Sequence, residues 1–323
     1  MTTMSLDPQT PFALARYREG AGTRLGLVVR DRIRPLDADE LGAAGLNAFL
    51  AAPDWDRLAG LVDDAGEWMP LADVTLTAPV EPRQVLQAGA NYREHVIELV
   101  AAGLTNNSDR TPEEAREFAA KMMDDRAANG EPYFFIGLPA CVVGDDVSLV
   151  LPGYSDVHDW ELELAIVIGR DAFRVSREDA LDHVAGYTIV NDITTRDLVF
   201  RKDMKEIGTD WYRSKNAPGF LPTGPFLVPA PFVDAGDLTV QLDLNGQVMQ
   251  NGSTSDLLFD IPSLISGASQ TMPLLAGDLL LTGSPPGNGQ HWKRFLRDAD
   301  VMTGTIQGLG TQVVRCVAEV PTA

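Results

Sequence analysis

The chain has 323 residues, 45% hydrophobic and 22% charged, and no apolar run approaches the ~18 residues of a membrane span, so a globular, soluble protein is expected. Twenty-six Lys and Arg against 46 Asp and Glu leave a net charge of −20, which repels nucleic acid and anionic membranes. Cys141 and Cys316 lack a second cysteine at metal-ligand spacing and read as buried thiols, and Met1 to Pro8 carry no secretory pattern, which makes a cytoplasmic setting the default.

Strands are expected at residues 12–17, 24–29 and 32–36, with Gly20 and Gly22 marking a hairpin turn. Residues 39–61 carry helical spacing of Leu and Ala, and 74–82 connect to the main body, so a small β-rich domain covers 1–78 and a catalytic domain 79–323. Residues 85–88 read as a strand running into Gly89-Ala-Asn91, where Asn91 caps a helix, Glu94 closes a capping box and Gly103 ends the helix. Thr111 and Glu114 box a second helix, stopped by Asn129-Gly130, whose stripe Ala115, Phe118, Ala119, Met122 and Met123 is expected to pack onto the body. Strands follow at 134–136, 147–150, 162–168, 186–190, 225–228, 238–244, 278–282 and 313–317, with short helices at 176–184, boxed by Ser176 and Asp179, and at 261–269. Without regular βα alternation, the fold class is mainly β or α+β, a mixed roll or sandwich rather than a doubly wound sheet.

Along 159–169, Asp-Trp-Glu-Leu-Glu-Leu-Ala-Ile-Val-Ile-Gly, strand alternation puts Glu161 and Glu163 on the face of Ala165 and Val167, opposite four aliphatic residues. Two buried, unpaired carboxylates repel, and a hard divalent cation resolves this; oxygen ligands suit magnesium, manganese or calcium. A half-exposed strand with two solvated glutamates is an equal reading of this peptide alone. A third carboxylate, Asp192, ends the apolar strand at 186–190 and can reach the first two. His95 and Glu98 share a helical face, as a carboxylate-oriented general base or as an incidental surface pair. Lys215 lies in a turn-rich stretch, either solvated or as the cation for a developing oxyanion or carbanion. Thr282-Gly-Ser-Pro-Pro-Gly-Asn-Gly289 lets backbone amides approach a ligand but lacks the ending of a phosphate loop. His158 could support Asp159 from outside the site, His183 fits as a packing residue, and His291 follows the glycine-rich loop.

In this order, Gly89-Ala-Asn-Tyr-Arg-Glu-His95-Val-Ile-Glu98, Asp159-Trp-Glu161-Leu-Glu163-Leu, Asn191-Asp192-Ile-Thr-Thr-Arg196-Asp197, Ser214-Lys215, Pro222-Thr-Gly-Pro-Phe, Leu244 to Thr254 and Thr282-Gly-Ser-Pro-Pro-Gly resemble the fumarylacetoacetate hydrolase family, from about Val85 to the C-terminus. The resemblance implies that family's mixed β roll, a small N-terminal β domain and a homodimer. It implies that Glu161, Glu163 and Asp192 ligate Mg2+, with Mn2+ or Ca2+ as alternatives, which chelates a 1,3-dicarbonyl or 2-oxo acid. His95, oriented by Glu98, would activate water; Lys215 would stabilise the carbanion left by C–C cleavage; Thr282 and Gly283 would contact a substrate carboxylate, with Tyr187 and Arg196 at the edge. The implied activity is hydrolysis of a C–C bond in an acylpyruvate-like acid. The same machinery also serves decarboxylation, isomerisation or hydration. Two departures stand out: Gly137 where the family has a lysine, which keeps open a catalytically silent oxo-acid binder, and an added helix at 112–128 that could act as a lid.

Overall fold

Leu162, Leu164, Ile166 and Ile168 pack into one hydrophobic core while Ala165 and Val167 pack into a second, so the strand Leu162–Ile168 is buried on both faces with the alternation its sequence dictates. In the computed structural model, which describes residues 5–64, 66–107 and 110–320, this strand lies inside a six-stranded sheet. The order is Val228–Pro229, Val184–Asn191, Leu162–Ile168, Leu279–Leu281, Val85–Gly89, Tyr133–Gly137, and only the pair Leu279–Leu281 with Val85–Gly89 is parallel. Met1 to Met4, the start of the segment expected to carry no secretory pattern, lie outside the described residues.

A five-stranded sheet, Gln247–Ser253, Thr239–Leu244, Val301–Ile306, Gly310–Ala318, Leu149–Leu151, covers the leucine face and adds Val240, Leu242, Met302 and Ile306 to that core. The layers touch closely at Gly304, where a Cβ would meet Leu162 Cδ1 at 2.4 Å. On the opposite face sit Phe12, Leu14, Leu27, Phe49, Leu50 and Leu58 of the N-terminal segment. That segment forms its own five-stranded sheet, Met69–Pro70, Arg32–Pro35, Gly22–Val29, Ala13–Glu19, Leu76–Thr77, with three short helices, but it shares both cores with the central sheet. The architecture is the mixed, mainly β arrangement expected. Among the described residues no helix is long and apolar enough to cross a membrane.

Several elements differ from expectation for identifiable reasons. Gln247–Ser253 and Val301–Ile306 were not among the expected strands, because polar residues in one and Gly304 in the other weaken the β signal. The strand expected at 225–228 shrinks to Val228–Pro229, an edge position that tolerates proline, and only a 3₁₀ turn, Ala180–His183, forms within 176–184. The helix Arg93–Asn107 runs through Gly103 instead of ending there.

The helix Pro112–Asn129 has the expected Thr111–Glu114 capping box, but its contact stripe is narrower than expected. Ala115, Ala119 and Met123 are buried, whereas Phe118 and Met122 remain 45% and 38% exposed. The helix packs on another helix, through Val96 and Ile97, and two small alanines let the axes approach along a single i, i+4, i+8 line. The larger residues therefore face outward, with the Arg110 guanidinium 4.2 Å from the Phe118 ring centre.

Candidate metal centre and its cavity

The register Leu162↔Asn191 brings the start of one central strand beside the end of its neighbour. Glu161 and Asp192 consequently meet, with the Asp192 amide donating to the Glu161 carbonyl at 2.8 Å. Glu163 points to the same face as Glu161, and one carboxylate oxygen from each of Glu161, Glu163 and Asp192 lies within 4.8 Å of the others, all three residues buried. Lys215, buried at the end of the helix Trp211–Lys215, donates to Glu161 Oε2 at 2.6 Å and to Asp192 Oδ2. Arg196 donates through Nη2 to Glu161 Oε1 and through Nε to Asp159 Oδ2, both at 2.6 Å.

These contacts divide the three carboxylates electrostatically. Burial works against ionising Glu161, yet Arg196 and Lys215 hold it well below the usual carboxylate range. Burial, reinforced by Asp192 and Glu161, pushes Glu163 well above that range. Burial also pushes Asp192 up to about 7 against the pull of Lys215. Two cations thus hold Glu161 ionised, whereas Lys215 only partly offsets burial at Asp192, and burial beside two neighbouring carboxylates disfavours ionising Glu163. A hard divalent cation fits that donor set, because each carboxylate oxygen has lone pairs beyond those given to Lys215, Arg196 and the Gly283 amide.

Two supporting residues were missed by sequence reasoning. Asp159 is fully buried and accepts from the amides of Trp160 at 2.8 Å, Gly289 at 2.5 Å and Gln290 at 3.2 Å as well as from Arg196, so it locks the glycine-rich loop to the carboxylate strand. Gln87, fully buried in Val85–Gly89, donates from its carboxamide nitrogen to both oxygens of Asp192 at 2.7 Å. Its signal was available: a lone amide inside an otherwise apolar strand has to be hydrogen-bonded to something.

Other expected residues have different partners. Asn91 does not cap the following helix; it donates to the carbonyls of Phe259 and Thr282 at 3.1 and 2.9 Å, and Asp256 accepts from the Glu94 amide at 3.0 Å instead. Glu94 itself pairs with Arg116 at 2.5 Å. The Glu98 carboxylate lies 3.3 Å from Nδ1 of His291, in the short helix Gly289–Trp292 that follows the glycine-rich loop. The Thr282 hydroxyl donates to the Leu164 carbonyl at 3.0 Å and the Gly283 amide to Glu163 at 2.7 Å, and both bonds stitch the loop to the strand. Tyr187 falls on the opposite face of Val184–Asn191 from Asp192, since they are five residues apart in a period-two strand, and it lines a separate cavity with Asp234. His158 bonds Thr195 and the Pro152 carbonyl at 3.0 and 2.9 Å, and His183 bonds the Arg170 carbonyl at 2.9 Å, which makes both satisfied imidazoles of the interior.

The carboxylates open onto a cavity of about 310 Å³ that also holds His95, Arg196 and Lys215, with Tyr133, Phe135 and Trp211 as its aromatic wall. The Phe135 and Trp211 rings stack at 4.7 Å, and Lys215 Nζ lies 5.4 Å from the Phe135 ring centre. Burial pushes His95 down to about 4; Glu161 opposes the shift, while Arg196 and His291 add to it. Its imidazole is therefore neutral near pH 7. Such an array can bind a small anion, withdraw charge from its oxygens and exchange a proton with it.

Comparison with known proteins agrees with this arrangement. Over 307 residues the chain is 31% identical to a fumarylacetoacetate hydrolase domain-containing protein 2 homolog from Dictyostelium discoideum, covering 90% of this chain and 91% of that one. It is 36% identical over 256 residues to an oxaloacetate tautomerase of Bacillus subtilis, covering 77% and 75% respectively. The structure of maleylpyruvate hydrolase from Sphingobium sp. SYK-6 in complex with manganese (II) ion and pyruvate superposes with a TM-score of 0.70 at 27% identity, over 95% of this chain and 100% of that one. Residues 84–317 match the family described as fumarylacetoacetate (FAA) hydrolase, C-terminal, and the chain belongs to that family.

Proposed function

We propose that this protein is a divalent-cation-dependent enzyme of small 2-oxo acids that weakens bonds next to the carbonyl by stabilising an enolate. The observation that carries this reading is the trio of buried carboxylates within 4.8 Å of one another, opening on a cavity that also holds His95 and Lys215. When bound by Glu161, Glu163 and Asp192, a divalent cation supplies a Lewis acid for the oxygens of such an acid, with Mg2+ the leading choice and Mn2+ or Ca2+ the alternatives. Lys215, fixed by Glu161 and Asp192, provides a permanent positive charge where negative charge develops on the substrate. Arg196 holds Glu161 ionised. His95, neutral on the cavity wall, accepts or returns the proton.

Proton transfer between keto and enol forms is the reaction the geometry supports best. His95 is a neutral base on the cavity wall, and keto–enol transfer needs only that group to take up and return a proton, whereas hydrolysis also needs an activated water, and Glu98, the carboxylate expected to help there, is paired with His291. The likeness to an oxaloacetate tautomerase supports the same choice. Hydrolysis of a C–C bond in an acylpyruvate-type acid is the second reading, supported by the likeness to a maleylpyruvate hydrolase that binds manganese and pyruvate. Product analysis separates them. With Mg2+ present, oxaloacetate and a panel of acylpyruvates would be followed by enol absorbance and by NMR. Accelerated enol loss without new acids marks a tautomerase, and two new acids mark a hydrolase. If neither occurs with any member of the panel, the enzymatic reading fails and a silent binding protein takes its place. The proposal includes a homodimer in a reducing cytoplasm, supported by exposed Phe200, Met204, Ile207 and Tyr212 and by two free buried thiols. A sedimentation mass of a single chain would contradict the dimer.

A further inference from the structure

Gln87 and Gly137 are diagonal neighbours on the antiparallel strands Val85–Gly89 and Tyr133–Gly137, where Val85 pairs with Gly137 and Gln87 with Phe135. The carboxamide nitrogen of Gln87 reaches both Asp192 oxygens at 2.7 Å, and the other end of the same carboxamide points at Gly137. A Cβ built on Gly137 would lie 2.5 Å from that terminal atom, 3.1 Å from Val85 Cγ1 and 3.2 Å from Leu221 Cδ1. Gly137 is not among the residues with positive φ, so its backbone does not call for glycine. The space does. The terminal amide is the part that can move, and moving it withdraws both hydrogen bonds from Asp192.

Those bonds matter because Asp192 stands beside two other carboxylates and, among the described residues, is otherwise hydrogen-bonded on its acid group only by Lys215. Like charges favour rotation of the Asp192 carboxylate away from its neighbours. A neutral amide prevents this without adding positive charge that would compete with a divalent cation for the same oxygens. We propose that Gln87 is a positioning residue that presets Asp192 for the cation, and that Gly137 is the space it requires. This inference rests on the reading that the three carboxylates hold a divalent cation.

The test is Mn2+ affinity, measured by calorimetry and by electron paramagnetic resonance of free Mn2+, for the parent protein, Gln87→Leu, Gly137→Ala and the double variant. Melting curves without metal check folding. Gln87→Leu and Gly137→Ala are each expected to weaken Mn2+ binding about 10- to 100-fold. The double variant should be no worse than the weaker single one, since both changes remove the same contact. Gly137→Ala keeps Gln87 and carries the test alone if Gln87→Leu fails to fold. Unchanged affinity in folded Gly137→Ala or Gln87→Leu, or losses that multiply in the double variant, would overturn the inference while leaving the cation reading intact. A parent protein that binds no Mn2+ would overturn both.

Discussion

Asp192 and Glu163 hold protons in conditions where ordinary carboxyls have lost them, because burial and their mutual repulsion disfavour a second and third negative charge. For Asp192 the folded pKa of about 7 lies above the unfolded value, so its contribution to stability is present in acid and is lost as pH rises through about 7. His95 works the other way: its folded pKa of about 4 makes the unfolded chain the stronger proton binder below about 6.5, and stability falls as pH drops through that window. Melting curves mix the two effects, whereas cation binding isolates the first. Calorimetry in buffers of different ionisation enthalpy is expected to record proton release from both Asp192 and Glu163 on cation binding near pH 6.5. Apparent affinity should rise with pH through about 7, and a pH-independent affinity from 5.5 to 8 would contradict the assignment. At this scale Glu161 and Glu163 were legible because a strand has period two, and Asp192 because it ends an apolar run. The partners of Glu98 and Asn91 were not legible, since His291 and Phe259 reach them from segments far along the chain.

Helix Pro112–Asn129 was readable at both ends because capping chemistry is local, and its Thr111–Glu114 box formed as expected. Its packing was not readable, because the 3.6-residue pattern marks an apolar stripe without saying how wide the partner surface is. Here the partner is one helix, and Met123 with two alanines suffices. Thr111→Ala removes one cap hydrogen bond and is expected to destabilise this helix by about 1 kcal/mol. Hydrogen exchange should then quicken about fivefold for residues 112–129, with Mn2+ affinity unchanged. Slower or unaltered exchange in that segment would show that the cap carries no weight. The missed strands have a related cause: Gly304 reads as a break in sequence but serves as the gap into which Leu162 packs.

Across the whole molecule, the two five-stranded sheets bury both faces of the central one, and the carboxylates gather at the edge of the apolar interior, where an uncompensated charge is most costly. The mainly β class and the family were legible because motifs spread from Gly89 to Gly287 keep their order. The continuity of the N-terminal segment with both cores was not, since interleaved hydrophobic residues leave no mark on spacing. The central claim is that activity toward a 2-oxo acid depends on a divalent cation held by Glu161, Glu163 and Asp192. The most direct test follows turnover of oxaloacetate or an acylpyruvate by protein stripped with EDTA, then supplied with Mg2+ or Mn2+, beside Asp192→Asn treated identically. Loss of turnover on stripping, recovery on re-addition and no recovery in Asp192→Asn are predicted; turnover that survives complete removal of metal would contradict the account.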